Sequence, residues 1–357
     1  MYTGCDTFIY NGLPTRVVFG FGTSSHAGAE TRRIGIKRPL VLSTPEQKPQ
    51  AEALATRLEM EVAGVFSGAT MHTPVEVTER ALEVVRETDA DGLIALGGGS
   101  TTGLGKAIAL RTNLPQVVLP TTYAGSEMTD ILGETSDGKK TTLRSPKIQP
   151  EVVIYDVELT MSLPPGLSAT SGINAIAHAV EGLYAGDRNP VSSLLALEAI
   201  RSLADGLPAI FDRPEDRPAR AKSLYGAWLC GTVLGSVGMA LHHKLCHVLG
   251  GSFALPHAET HTVVLPHVVS FNARVVPESL APVSKIFHSA GPGQGLYDLA
   301  KRIGAPTALK DIGMPADGLD RASEIATENP YYNPRQPTRL EIRSLLEDAF
   351  NGRRPEI

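Results

Sequence analysis

Six short β-rich runs punctuate residues 16–156, and the segments between them have helical periodicity. The runs are RVVFG at 16–20, PLVLST at 39–44, EVAGVFSG at 61–68, DGLIALGGG at 91–99, QVVLPTT at 116–122 and EVVIYD at 151–156. Several are almost continuously apolar, the pattern of strands covered by helices on both faces. SSHAGAETRR, PEQKPQAEALATRLE, TPVEVTERALEVVRET and a helix opening at Ser100 fill the gaps. This alternation predicts a doubly wound α/β domain on a mainly parallel sheet.

The pattern changes at LPPGLSA, residues 163–169. Proline suits the first turn of a helix, and helical periodicity then continues with no convincing strand for most of the remaining length. Two domains are expected: α/β over 1–162 and all-helical over 163–357. RPEDRPAR at 213–220 reads as a charged loop between helices. With 357 residues, 42% of them hydrophobic, the chain can give each domain a core. A net charge of −5 leaves no broad basic surface for nucleic acid. No run of about 18 apolar residues marks a membrane span, and MYTGCDTFIYNG lacks a leader pattern, so a cytoplasmic protein without a membrane partner is expected. Cys5, Cys230 and Cys246 have no CxxC spacing and suggest neither disulfides nor a cysteine-ligated zinc.

In LIALGGGSTTGLGKAIAL, Gly97, Gly98 and Gly99 follow a strand directly, with Ser100 as the expected N-cap of the next helix. Such a turn lets main-chain N–H groups approach a phosphate at a helix N-terminus, as a dinucleotide pyrophosphate requires. It is neither GxGxxG nor a complete P-loop. The second run ends at Thr44, where NAD-preferring sites usually place an acid; a neutral residue there predicts relaxed choice between NADH and NADPH. LPTTYAGSEMT at 119–129 offers Thr121, Thr122 and Ser126 at another strand end, where ligands gather on parallel sheets.

SGINAIAHAVEGLYA at 171–185 reads as an amphipathic helix with Asn174 and His178 four apart on one face. That pair suits half a metal site, part of a substrate pocket, or a satisfied polar pair in a core. Six of the ten histidines, His242, His243, His247, His257, His261 and His267, lie between 242 and 267. His243 and His247 are one turn apart in HHKLCHVLGG, where the double glycine is expected to end the helix. Imidazoles serve metal ligation, acid catalysis and anion binding alike, and so dense a set points to function. Lys244 adds positive charge, and Cys246 reads as a packing residue.

Five stretches in order, ALGGGSTTGLGKAIALR, PTTYAGSEMTDILGETSDGKKTTLR, SGINAIAHAVEGLYA, HHKLCHVLGGSFALPHAETH and ENPYYNPRQPTRLEIRSLLEDAFNGRRP, resemble the iron-containing alcohol dehydrogenase superfamily from end to end. The resemblance implies a nucleotide-binding α/β domain, an all-helical domain, an active site between them, and an architecture shared with dehydroquinate synthase. Metal-dependent members hold iron or zinc with an aspartate, a histidine four residues later and two histidines fourteen apart. The corresponding residues here are Asn174, His178, His243 and His257, so the acid has become an amide. Gly103 stands where GGGSxxD supplies an acid, and PTTYAGSE is one residue shorter than the usual loop. An amide lends a cation only a dipole, so no resident metal is expected, although His178, His243 and His257 keep three imidazoles able to take zinc or iron.

The resemblance is greatest to the branch that reduces the carbon–carbon double bond of an unsaturated oxo-dicarboxylate with NADH or NADPH in aromatic catabolism. On that reading His243 and His247 are catalytic. Asn174, His178, His257, Tyr123, Lys244 and Arg335 bind substrate, while Thr44, Gly97–Ser100, Thr121, Thr122 and Ser126 bind the cofactor. The implied partners are a small dicarboxylate and a second copy of the chain. The alternative is a metal-dependent alcohol dehydrogenase.

Overall fold

The computed structural model describes residues 7–136, 139–329 and 331–356. It divides into two compact units, Gly12–Leu163 and Pro164–Ile357, the second including the chain up to Asn11. The described residues before Gly12 thus side with the helical unit, although by sequence position they were expected in the α/β domain.

Among the described residues the first unit has eight strands: β1 (Arg16–Gly20), β2 (Pro39–Leu42), β3 (Gly64–Phe66), β4 (Gly92–Gly97), β5 (Gln116–Pro120), β6 (Ile131–Ser136), β7 (Lys139–Arg144) and β8 (Val152–Asp156). Six form a sheet in the order β1-β8-β5-β4-β2-β3, every neighbouring pair parallel. β4, β5 and β8 are buried throughout, as their unbroken apolar runs predict. The chain reverses its direction across the sheet after β3, which sets a topological switch point between β2 and β4. β6 and β7 pair antiparallel as a separate hairpin not expected from the sequence, its two short Thr-containing runs being the local signal for it. Helices α1 (Ala27–Arg33), α2 (Lys48–Arg57), α3 (Val75–Glu87) and α4 (Gly99–Thr112) connect the strands. α3 shows why they do so: Val77, Ala81 and Val85 recur four apart and are buried, so one face packs inward.

The second unit is helical: α5 (Pro165–Gly182), α6 (Pro190–Asp212), α7 (Arg217–Ser236), α8 (Leu241–Phe253), α9 (His257–Ala273), α10 (Pro277–Ile286), α11 (Pro292–Arg302), α12 (Gly318–Thr327) and α13 (Arg339–Asn351). Capping boxes at Asn189 and Thr338 fix the starts of α6 and α13. Leu241, Leu245 and Leu249 of α8 join Val264 and Val268 of α9 and Ile342 and Leu346 of α13 in one core.

Two local expectations need correction. α8 does not stop at Gly250 and Gly251 but runs to Phe253, ending where Ala254 turns left-handed at φ 54°. Glycine inside a helix costs only about 1 kcal/mol against alanine, less than the packing of a helix carrying three buried leucines. RPEDRPAR is only half loop: Asp216 caps α7, and Arg220 is fully buried, donating to Ser168 Oγ at 2.8 Å and the Pro214 carbonyl at 3.0 Å. Among the described residues no single helix is long and apolar enough to cross a membrane.

Candidate functional site

In the α/β unit the glycine turn lies at the switch point. β4 ends at Gly97, Gly98 is the N-cap and α4 begins at Gly99, so Ser100 is not the cap but sits in the first turn. The first-turn N–H groups have no intrahelical acceptors and leave a site for anionic oxygens. Two of the three glycines are required by their surroundings. A Cβ on Gly97 would lie 2.3 Å from Thr101 Oγ1, and one on Gly98 would lie 2.9 Å from Thr122, whereas one on Gly99 meets nothing closer than 3.7 Å. Gly103, which replaces the family's acid, would push a Cβ to 2.4 Å from Thr73 Oγ1.

Thr44 leaves β2 in extended conformation, and the next residues bend over the sheet so that Gln47 Nε2 donates to Thr121 Oγ1 at 2.9 Å. An acid is nevertheless present at this strand end. Glu46 is exposed, and its carboxyl is held below the usual range by its own main-chain N–H and the Thr44 hydroxyl. After β5, Tyr123 is fully buried and Ser126 half-buried. This loop is pinned by Lys106, which is fully buried in α4. Its ammonium reaches the carbonyls of Ser126, Thr129 and Ile131 and the Thr129 hydroxyl at 2.5–2.9 Å. Burial pulls its pKa down to about 7, opposed by Glu127 and Asp130. Buried Glu127 accepts from Tyr155 Oη at 2.8 Å.

In the helical unit, α5, α8 and α9 bring the imidazoles together. His178 Nδ1 and His243 Nε2 are 2.8 Å apart, and His243 Nδ1 lies 2.6 Å from Glu181 Oε2. Glu181 is fully buried and also accepts from the main-chain N–H groups of Ala240 and His242, at 2.9 and 2.8 Å. The carboxylate fixes the tautomer: Nδ1 of His243 carries the proton, so neutral His243 accepts from His178 at Nε2. Behind this row, His242 Nε2 and His261 Nδ1 are 2.9 Å apart, with Cys246 Sγ at 3.7 Å from His242 Nε2. Burial holds His242 and His261 well below the usual histidine range and pushes the Cys246 thiol up, so Cys246 is a protonated packing residue. The His257 ring is 4.4 Å from that of His261, and His247, exposed, is 6.3 Å from His243. Asn174 is buried, and its Oδ1 has no hydrogen-bond partner among the described residues.

The sequence reading overlooks Glu181, although it continues the stripe of Asn174 and His178 at positions i, i+4 and i+7. Two residues expected to bind substrate are engaged elsewhere. Lys244 donates to the Glu328 carbonyl at 3.0 Å and stands over the Tyr331 ring, since adjacency in α8 turns it about 100° away from His243. Arg335 stacks 4.2 Å over Phe271 and pairs with Glu341 at 2.9 Å. Phe271 and His257 are at opposite ends of α9, separated by about 20 Å at 1.5 Å per residue, so Arg335 is outside the histidine cluster.

Residues 14–157 match iron-containing alcohol dehydrogenase, and residues 168–350 match the C-terminal part of the Fe-containing alcohol dehydrogenase family. The chain belongs to the iron-containing alcohol dehydrogenase family. Within the family it is 58% identical over 349 residues to the maleylacetate reductase of a Rhizobium species, covering 98% of this chain and 99% of that one. It is 52% identical over 348 residues to the maleylacetate reductase of Sphingobium indicum, covering 98% and 99%. The crystal structure of maleylacetate reductase from Agrobacterium tumefaciens superposes with a TM-score of 0.95 at 56% identity, over 98% of this chain and 100% of that one.

The family description implies iron, and the expectation that none is held finds no support here. His178, His243 and His257 supply imidazoles, Glu181 backs His243 in the manner of a carboxylate behind a metal-binding histidine, and the orphaned Asn174 Oδ1 offers an oxygen. By their chemistry these donors suit a divalent cation, with His178 Nδ1 and His243 Nε2 here sharing a hydrogen bond. A second group, His242, Cys246 and His261, has donor atoms all within 4.8 Å of one another.

Proposed function

We propose that the protein is a maleylacetate reductase, transferring hydride from NADH or NADPH to the carbon–carbon double bond of maleylacetate. The observation that carries this reading is the His178–His243–Glu181 array on a chain related throughout its length to enzymes of that name. Maleylacetate is an enone with a carboxylate at each end. Hydride delivered to C2 forms the new C–H bond and moves the π electrons onto the C4 ketone oxygen. One proton added at C3 then yields 3-oxoadipate and the oxidised nicotinamide.

The chain's residues serve the charge and the proton. With Nδ1–H held by Glu181, His243 releases or accepts a proton only at Nε2, and the carboxylate stabilises the charged ring when that proton is present. We assign Asn174, His178 and His257 to substrate binding beside His243, and exposed His247, 6.3 Å from the His243 ring, as the second proton donor. An amide in place of an acid at Asn174 removes a negative charge that would repel a dianion. A divalent cation held by His178, His243, His257 and Asn174 would polarise the ketone oxygen. Gly97–Ser100, Thr121, Thr122 and Ser126 take the cofactor, and the Glu46 carboxylate beside Thr44 makes NADH the better donor by opposing a 2′-phosphate.

The test is NADH and NADPH oxidation with maleylacetate, in the parent protein and in His243→Gln and His247→Gln. Loss of about 100-fold or more in kcat is expected in at least one variant; near-normal turnover in both would sink the assignment. Metal content measured alongside tests the cation reading: Asn174→Asp is expected to hold more iron or zinc and to raise KM for the dianion.

A further inference from the structure

Residues 121–131, the loop after β5, carry Thr121, Thr122 and Ser126, three of the residues assigned to the cofactor. The regular structure inside this loop is a single short turn, Ser126–Met128. Its shape is set instead by a side chain reaching in from α4. Lys106 Nζ lies 2.5 Å from the Ser126 carbonyl, 2.6 Å from that of Thr129, 2.9 Å from that of Ile131 and 2.9 Å from Thr129 Oγ1. An ammonium has three protons to give, and four oxygens of one loop surround it.

The acids of the loop are committed elsewhere. Asp130 pairs with Arg144 at 3.1 Å, and Glu127 takes the Tyr155 hydroxyl at 2.8 Å. The buried charge is therefore held by carbonyls and a hydroxyl, much as a hard cation is held by a loop of oxygens. An ammonium out of water is costly unless hydrogen bonds replace its hydration, so the loop cannot swing away from Lys106 without stranding the charge. Thr129 tightens the cage: its hydroxyl accepts from Lys106 and donates to the Ser126 carbonyl at 3.0 Å. The other end of the loop is fixed at Thr121 by Gln47.

We infer that Lys106 is a positioning residue for cofactor binding: its ammonium orders the loop after β5 and, through the Ser126 carbonyl, holds Ser126 where the dinucleotide is received. This rests on the assignment of that loop to NADH or NADPH. A loop ordered in advance spares the cofactor the entropy of ordering it, so the effect of Lys106 falls on cofactor affinity. Lys106 acts through the loop and not on the reacting atoms, so the chemical step is left nearly unchanged.

Fluorescence titration of the full-length protein with NADH, alongside steady-state reduction of maleylacetate, tests this in Lys106→Met and Thr129→Val. Lys106→Met keeps an unbranched side chain and removes the charge. It is expected to bind NADH about tenfold or more weakly, with kcat at saturating NADH within about threefold of the parent and circular dichroism unchanged. Thr129→Val keeps the shape and removes one acceptor; NADH binding weaker by about threefold or more is expected, and this variant decides the question if Lys106→Met does not fold. The proposal is overturned by NADH affinity within twofold of the parent in a folded Lys106→Met or in Thr129→Val, or by a loss that appears in kcat alone. A parent protein that binds no NADH overturns the assignment of the loop to the cofactor and this proposal with it, whereas a parent that binds NADH beside variants of undiminished affinity overturns this proposal alone.

Discussion

The α/β unit and the helical unit gather polar groups by opposite means. At the glycine turn the groups are main-chain N–H and hydroxyls, drawn from strand ends and held close by the absence of side chains at Gly97 and Gly98. In the helical unit they are imidazoles from three helices, and what holds the His243 ring is a carboxylate of another helix, 62 residues earlier in the chain. The first arrangement is sensitive to atoms added, the second to a partner removed.

The strongest way to break that contrast is Glu181→Gln. The amide keeps the shape but cannot hold the Nδ1 proton as a carboxylate does, and kcat is expected to fall by about 10–100-fold, the usual effect of losing such an orienting partner. Circular dichroism should show the helices retained. Activity within twofold of the parent would mean that His243 does not depend on its carboxylate.

A smaller effect is expected from the opposite kind of change. Gly97→Ala forces a methyl against Thr101, at a cost of at least about 1 kcal/mol, which corresponds to a roughly fivefold or greater rise in KM for NADH. Gly99→Ala has room and should leave KM within twofold. If the two alanines behave alike, close packing is not what demands glycine in this turn.

The smallest effect is on stability. His267 has a folded-state pKa of about 4, below the ordinary 6.5, because burial penalises its charged form. The unfolded chain therefore takes up the proton first as pH falls, and stability is lost from about pH 6.5 downward. The loss from this one group is about 1 kcal/mol between pH 6.5 and 5.5. Urea unfolding at the two values measures it, and His267→Gln is expected to flatten the slope.

Legibility in the sequence followed the same contrast. All six parallel strands and the glycine turn could be read because each is a local pattern, a run of apolar residues closed by small ones. Lys106 and Glu181 could not, because a lysine or glutamate inside a helix ordinarily faces water. Only the non-local partners, the carbonyls of 126–131 for one and the start of α8 for the other, reveal why each is buried. Arg335 misled for the converse reason: its chemistry suits a carboxylate, but nothing in the one-dimensional order tells which end of α9 it reaches.

Glu181 also settles how freely this unit can change in length. The chain departs from it at the end of α5, makes the long excursion through α6 and α7, and returns to the same carboxylate at Ala240 and His242. Length changes in the loop between α6 and α7 are therefore separated from the imidazoles by a fixed point. The two feet of the excursion meet on one side chain, and its helices pack back onto α5 between them.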